Sequence, residues 1–332
     1  MSFTFKYYPY ELVPKGRLGN KAQSASRQGA LLKVIFSDDK VGYSDCFPWP
    51  ELGDHSLEEQ LRNLKKGHLT ELTEQSIVFA RADAEARFKG ESLFKELKVP
   101  KSHALFTDLA LLSSEELESL SNSGFTKIKV KVGSHPEKES QKILSLEPHL
   151  KKLSIKLRLD FNSSLSMSKL EEFLVRLGPV VKMIDFIEDP IPFNDRAWKE
   201  LQQKWNIRIA LDRMQGIPLE EIKKGSFALL IIKPANQNWK KLVQLAKEMQ
   251  LPVVVTSYLD HPIGQLYSAW VASQILMNKE VEIEDCGLLS HFAYNVNQFS
   301  VLLKDENGCL IPPYETGIGF TKLLSEITWI SF

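Results

Sequence analysis

Two stretches decide the reading of this chain, FTKIKVKVG at 125–133 and IKLRLDFN at 155–162. Both alternate charged and aliphatic residues, and in both the last charge stands two residues before a Gly or an Asn. Successive strand residues face opposite sides, so Lys129 and Lys131 share a face that excludes Val130, and Arg158 and Asp160 share one that excludes Leu157 and Leu159. Strands of a parallel sheet covered on both faces are normally apolar throughout. Inward charges left unpaired there cost several kcal/mol, so these need partners or a chemical task.

Working outward, strand-like segments recur at 103–108, 125–132, 155–160, 184–188, 208–212, 228–233, 252–256 and, more weakly, 281–284. Helix-like segments lie between them at 113–122, 136–150, 168–177, 238–249 and 262–277. Eight strands separated by helices have the size and rhythm of a (β/α)8 barrel. A doubly wound sheet is the rival, but its dinucleotide-binding glycine fingerprint is absent. Before residue 95 the pattern differs. Strands at 3–8 and 30–36 precede helical spacing at 56–66 and 73–89, with Ser56 and Glu59 as a capping box. Two irregular stretches, 16–29 and 47–54, read as loops.

The composition narrows the function. Among 332 residues, 42 Lys and Arg offset 42 Asp and Glu, which leaves no electrostatic footprint for nucleic acid or an anionic membrane. Hydrophobic residues make up 43%, enough for a large core and too many for a disordered chain. Cys46, Cys286 and Cys309 are odd in number and far apart, against disulfides and zinc. No signal peptide and no membrane-length apolar run is visible. The expectation is a soluble, cytoplasmic protein acting on a small molecule, with the oligomeric state unreadable.

Reading the end of each successive strand gives Lys131, Asp160, Glu188, Asp212 and Lys233, at intervals of 29, 28, 24 and 21 residues, each about one strand and helix. A barrel gathers such residues at its C-terminal rim, where active sites of this architecture are built. Three carboxylates without His or Cys form an all-oxygen set suited to a hard divalent ion, Mg2+ first and Mn2+ second. A salt-bridge role with the lysines is the bland alternative. A lysine with a reference pKa of about 10.4 is a poor base, but a neighbouring cation favours its neutral form. Lys131 beside Lys129 is therefore a candidate base, and the reaction class is metal-assisted enolisation. Lys127 shares the parity but lies near the strand start, where a solvated role is expected. The seven histidines read as structural; His103 begins a strand, and only His261 and His291 lie late enough to approach the rim.

The motifs KVKVG (129–133), LRLDFN (157–162), IEDP (187–190), ALD (210–212) and IIKP (231–234) resemble those of the enolase superfamily. Lysines on both sides resemble its muconate lactonizing enzyme subgroup. Arg158 in LRLD and the segment VTSYLDHPIG (255–264) most resemble the o-succinylbenzoate synthase family of menaquinone biosynthesis. The resemblance implies an α/β fold: a modified TIM-type (β/α)7β barrel at 99–310 with an N-terminal α+β capping domain at 1–98, on which 311–332 packs back. It implies metal ligands Asp160, Glu188 and Asp212, Lys131 as base and acid, Lys233 as stabiliser of the intermediate and Lys129 as tuner of Lys131. For a dicarboxylate substrate it suggests contacts from Arg158, Asn162, Thr256 and Ser257 and from the backbone at Gly287 and Leu288, under capping loops 16–29 and 47–54.

The implied reaction is the syn dehydration of 2-succinyl-6-hydroxy-2,4-cyclohexadiene-1-carboxylate. N-acylamino acid racemases and dipeptide epimerases are close alternatives, although EIED at 282–285 lacks the D-x-D expected of the latter. A Schiff-base aldolase and a non-catalytic binding barrel are the rivals from other classes. The chain departs from the family pattern at Arg213, at DFN, and at Tyr258 and His261.

Overall fold

The computed structural model describes residues 2–18, 26–213, 217 and 222–331. The expected loop at 16–29 therefore falls outside the described residues over 19–25. Near the N-terminus, strands β1 (Phe3–Leu12), β2 (Arg27–Phe36) and β3 (Val41–Cys46) pair antiparallel and lead into helices α1 (Leu57–Lys65) and α2 (Glu71–Phe88). Ala30, Leu32, Val34 and Phe36 of β2 share a face and pack with Leu61 and Leu64 of α1 and Leu72, Ile77 and Ala80 of α2. Leu31, of opposite parity, joins the main core instead. The capping box at α1 forms, with Glu59 N donating to Ser56 Oγ and Ser56 N to the Glu59 carboxylate.

Strand β3 escaped the sequence reading because its buried positions are Gly42, Ser44, Asp45 and Cys46, small or polar rather than aliphatic. Gly42 lets β3 lie against the backbone of α2, since a Cβ there would sit 1.8 Å from the Ala80 carbonyl oxygen. Gly42→Ala is expected to cost about 3 kcal/mol or more, the upper range for overpacking against atoms that cannot move. Chemical denaturation checks this; an unchanged midpoint contradicts it.

The second part alternates strand and helix: β4 (Ala104–Phe106), α3 (Ser114–Asn122), β5 (Lys127–Lys131), α4 (Pro136–Leu153), β6 (Lys156–Asp160), α5 (Met167–Leu177), β7 (Ile184–Glu188), α6 (Asp195–Trp205), β8 (Ile209–Leu211), β9 (Leu229–Ile232), α7 (Trp239–Met249), β10 (Val253–Val255) and α8 (Pro262–Asn278). The seven strands β4 to β10 pair in parallel in sequence order. The weak eighth segment lies slightly later than expected and forms bridges rather than a ladder. Ile283 and Gly287 pair with Val253 and Thr256, and Cys286 with Ser102, so residues 283–287 join β10 to the chain entering β4 and close the barrel. Phe186, Ala210, Leu229, Ile231 and Val254 form a separate interior cluster.

Beyond the barrel, β11 (Lys304–Glu306) and β12 (Cys309–Ile311) make a hairpin; α9 (Thr321–Glu326) follows, and β13 (Ile330–Ser331) pairs with β1. Tyr10 donates to Asp45 Oδ1 at 2.6 Å, and His261 N, at the start of α8, donates to Asp45 Oδ2 at 3.2 Å, so one carboxylate ties the N-terminal sheet to the barrel. Trp49 Nε1 donates to the Tyr258 carbonyl at 2.8 Å, and the Tyr258 hydroxyl to Asp54 at 3.0 Å. These bonds hold the 47–54 segment over the barrel mouth. Among the described residues, no helix is long and apolar enough to cross a membrane.

Candidate active site

A cavity of about 490 Å³ opens at the C-terminal ends of the barrel strands, lined by Lys129, Lys131, Asp160, Asp212 and Lys233 and covered by Leu18, Trp49 and Leu52. Strand register builds its charged floor: Lys131 is paired with Asp160, and Asp160 with Glu188, so the side chains lie laterally on β5, β6 and β7. Asp212 follows β8 and Lys233 follows β9.

The three lysines differ in their partners. Lys129 Nζ lies 2.6 and 2.7 Å from the two oxygens of Glu188 and 3.1 Å from Asp160 Oδ2. Burial alone would lower its pKa, but Asp160, Glu188 and Asp212 outweigh it and hold Lys129 protonated. Lys233 pairs with Asp212. The Lys131 side chain has no hydrogen bond or ion pair with any described residue. Burial, helped by Lys129 and Lys233, lowers it to about 8 against the opposing pull of Asp160 and Glu188. Lys131 is thus poised to exchange a proton near neutral pH, which Lys129 is not. If it is the base, kcat/KM rises with pH to a plateau, with its ascending limb at or below about pH 8. A limb near 10 in a pH–rate profile contradicts that assignment.

The carboxylates are held from behind. Asn162 donates from its side chain (2.7 Å) and backbone (3.1 Å) to Asp160 Oδ1, and Arg213 donates to Asn162 Oδ1 at 2.6 Å. Buried Asp189, beside Glu188, accepts the backbone N–H groups of Asp212 and Arg213 at 3.1 Å each. Burial and the nearby Asp160 push Glu188 up, opposed by Lys129. The donor set suits a hard divalent ion, and Asp212 Oδ1 is buried without a partner among the described residues. Lys129 and Lys233 occupy the other inner oxygens, and no group of three or more His, Cys, Asp or Glu among the described residues closes around an ion-sized point.

Several expected contacts are corrected. Arg158 does not face the substrate. It is fully buried below the cavity, over Phe186, and donates to Asp185 at 2.8 Å, to His103 Nδ1 at 2.9 Å and to the Asp285 carbonyl. Inward parity placed it inside the barrel, but one layer below the rim. Leu288 is buried, and its N–H goes to Ser102 Oγ at 2.7 Å. Gly287 lines the cavity, but its N–H bonds to the Val255 carbonyl in closing the barrel. Neither backbone donor is available to a ligand.

Asn162 lines the cavity with its side chain committed to Asp160 and Arg213. Thr256 and Ser257 also line it; the Ser257 hydroxyl donates to Ser290 at 2.6 Å, while Thr256 Oγ1 is buried without a partner among the described residues. Lys127 is not simply solvated. It lies 3.6 to 3.9 Å from Asp185, Glu284 and Asp285. His261 packs on Tyr10 and Phe299, away from the cavity. His103 was missed, because a strand's first residue was expected far from the rim. It lines the cavity with Leu105, and their shared parity was the signal.

A barrel with this rim defines an enolase-type protein. The "Enolase C-terminal domain-like" family pattern matches residues 113–323, and that of "O-succinylbenzoate synthase, N-terminal domain" matches 5–86. An o-succinylbenzoate synthase of Bdellovibrio bacteriovorus is 36% identical over 97% of both chains. An L-Ala-D/L-Glu epimerase of Francisella tularensis is 26% identical over 62% of this chain and 61% of its own. Among solved structures, a dipeptide epimerase from Enterococcus faecalis complexed with Mg and L-Leu-L-Tyr superposes with TM-score 0.75 at 17% identity, covering 96% of this chain and 99% of its own. Muconate lactonizing enzyme gives TM-score 0.74 at 16% identity, covering 97% and 98%; both likenesses concern the fold. The chain belongs to the o-succinylbenzoate synthase family of the enolase superfamily.

Proposed function

We propose that this chain is a hydro-lyase that converts 2-succinyl-6-hydroxy-2,4-cyclohexadiene-1-carboxylate to 2-succinylbenzoate, a step of menaquinone biosynthesis. The observation that carries the reading is the contrast among the lysines: Lys129 and Lys233 are ion-paired, and Lys131 is unpaired among the described residues and lowered to about 8. Asp160, Glu188 and Asp212 would hold Mg2+, which would supply positive charge where a carboxylate gains electron density.

Neutral Lys131 takes the ring proton next to the carboxylate, and the C–H electron pair enters an enediolate. The Lys131 ammonium then returns that proton to the departing hydroxyl on the same face. Water leaves, the C–O bond breaks, and the ring becomes aromatic. Lys233, ion-paired with Asp212, faces the enediolate from across the cavity. Lys129 stays protonated and disfavours a second charge on Lys131. The Trp49 segment covers the mouth and limits the entry of water.

The opposed lysines would also suit racemisation or epimerisation, so the test is a turnover panel of the cyclohexadiene carboxylate, N-acylamino acids and dipeptides. Dehydration that is lost in EDTA and restored by Mg2+ is expected. Epimerisation without dehydration, or dehydration that persists in EDTA, overturns the reading.

A further inference from the structure

We propose that His103 is a specificity-determining residue whose Nε2–H donates a hydrogen bond to a carbonyl or carboxylate oxygen on the substrate arm remote from the enolising carbon. This inference rests on the function proposed above and concerns a side chain that the mechanism leaves without a task.

Arg158 fixes the tautomer. A guanidinium has only donors, so its 2.9 Å contact makes Nδ1 the acceptor and leaves the ring proton on Nε2. Arg158 is itself held by Asp185 and Glu284, so the ring is anchored from below. Burial, then Arg158, Lys129 and Lys127, push the imidazole pKa well down, so the ring stays a neutral donor.

Nε2 lies on the ring edge beside Gly287, which also lines the cavity. His103 is 97% buried yet lines the cavity, and Nε2 makes no hydrogen bond with any described residue. A Cβ on Gly287 would lie 2.9 Å from both Nε2 and Thr256 Cγ2, so glycine leaves that ring edge open beside Thr256. Thr256, whose Oγ1 is also buried without a partner among the described residues, lines the same cavity. A buried donor awaiting an acceptor discriminates strongly against ligands that lack one.

The experiment is calorimetric binding of 2-succinylbenzoate in Mg2+ to the wild type, His103→Leu and His103→Gln, with steady-state kinetics on the precursor. In His103→Leu, affinity is expected to fall about 10- to 100-fold, the range for a lost hydrogen bond to a charged or buried acceptor. KM rises while kcat changes little, and His103→Gln, which keeps a side-chain N–H donor, recovers most of the affinity. Benzoate, which lacks the arm, binds the wild type and His103→Leu equally. Analogues without the terminal carboxylate or without the keto oxygen show which acceptor is read, because the penalty of His103→Leu disappears with one of them. Nitrogen-15 NMR should show the proton on Nε2 and no titration across neutral pH.

Unchanged affinity in His103→Leu overturns the inference, as does an equal loss in Leu and Gln accompanied by an equal loss of thermal stability. So does a proton on Nδ1. A wild type that neither binds 2-succinylbenzoate nor turns over its precursor sinks both this inference and the proposed function.

Discussion

Lys131→Ala is expected to lower kcat by about 10⁴-fold or more while leaving the protein folded. One general acid or base contributes roughly 10² to 10⁴, and Lys131 is assigned both the removal of the ring proton and its delivery to the hydroxyl. Lys233 cannot take over, because it is paired with Asp212 and follows β9, four strands from Lys131 on β5. Stability should hardly fall, since Lys131 has no ion pair with a described residue to lose, and burial together with repulsion from Lys129 and Lys233 outweighs the pull of Asp160 and Glu188 on its charge. The measurements are single-turnover dehydration and exchange of the ring proton with deuterated solvent. Exchange that survives in Lys131→Ala would assign the base elsewhere.

Arg158→Met should act in the opposite sense, on stability before chemistry. Removing one partner of a buried ion pair costs about 3 to 5 kcal/mol. The lower end is expected, because Lys127 and Arg208 remain beside Asp185. Arg158→Lys should rescue poorly, since one ammonium cannot replace donors directed at Asp185, His103 and the Asp285 carbonyl together. The pH dependence has a definite sign. Burial alone would raise Asp185, but Arg158, Lys127 and Arg208 outweigh it and hold it below the usual carboxylate range. The associated stability is present above the unfolded value, near pH 3.9, and is lost as pH falls through the folded one. The gap between wild type and Arg158→Met should narrow in acid. A variant with full stability and a raised KM would return Arg158 to the substrate.

The contrast between these two residues shows how far periodicity reaches. Parity correctly put Lys129, Lys131, Arg158 and Asp160 inside the barrel, because side chains alternate along any strand. It did not supply depth, which depends on how neighbouring strands are staggered. Arg158 and His103 meet at 2.9 Å although 55 residues separate them, and only the closed sheet sets that contact. The backbone of Gly287 and Leu288 was misread for a related reason: the barrel's final segment bonds to Val255 and Ser102, and local sequence does not reveal where a closing segment finds its partners. Likewise β3 was hidden because its buried side is small and polar where it lies against α2.

By itself the sequence determined the strand and helix rhythm and the five charged strand ends, Lys131, Asp160, Glu188, Asp212 and Lys233, because both are written in local spacing. The tertiary structure decided which charges are already spent on one another. Lys129 on Glu188, Lys233 on Asp212 and Arg158 on Asp185 are paired, while Lys131 and His103 line the cavity, with Lys131 Nζ and His103 Nε2 lacking a partner among the described residues. The reason is that the energy of a charge or a donor depends on what lies within a few ångströms of it in space, and in a closed barrel those neighbours come from other strands.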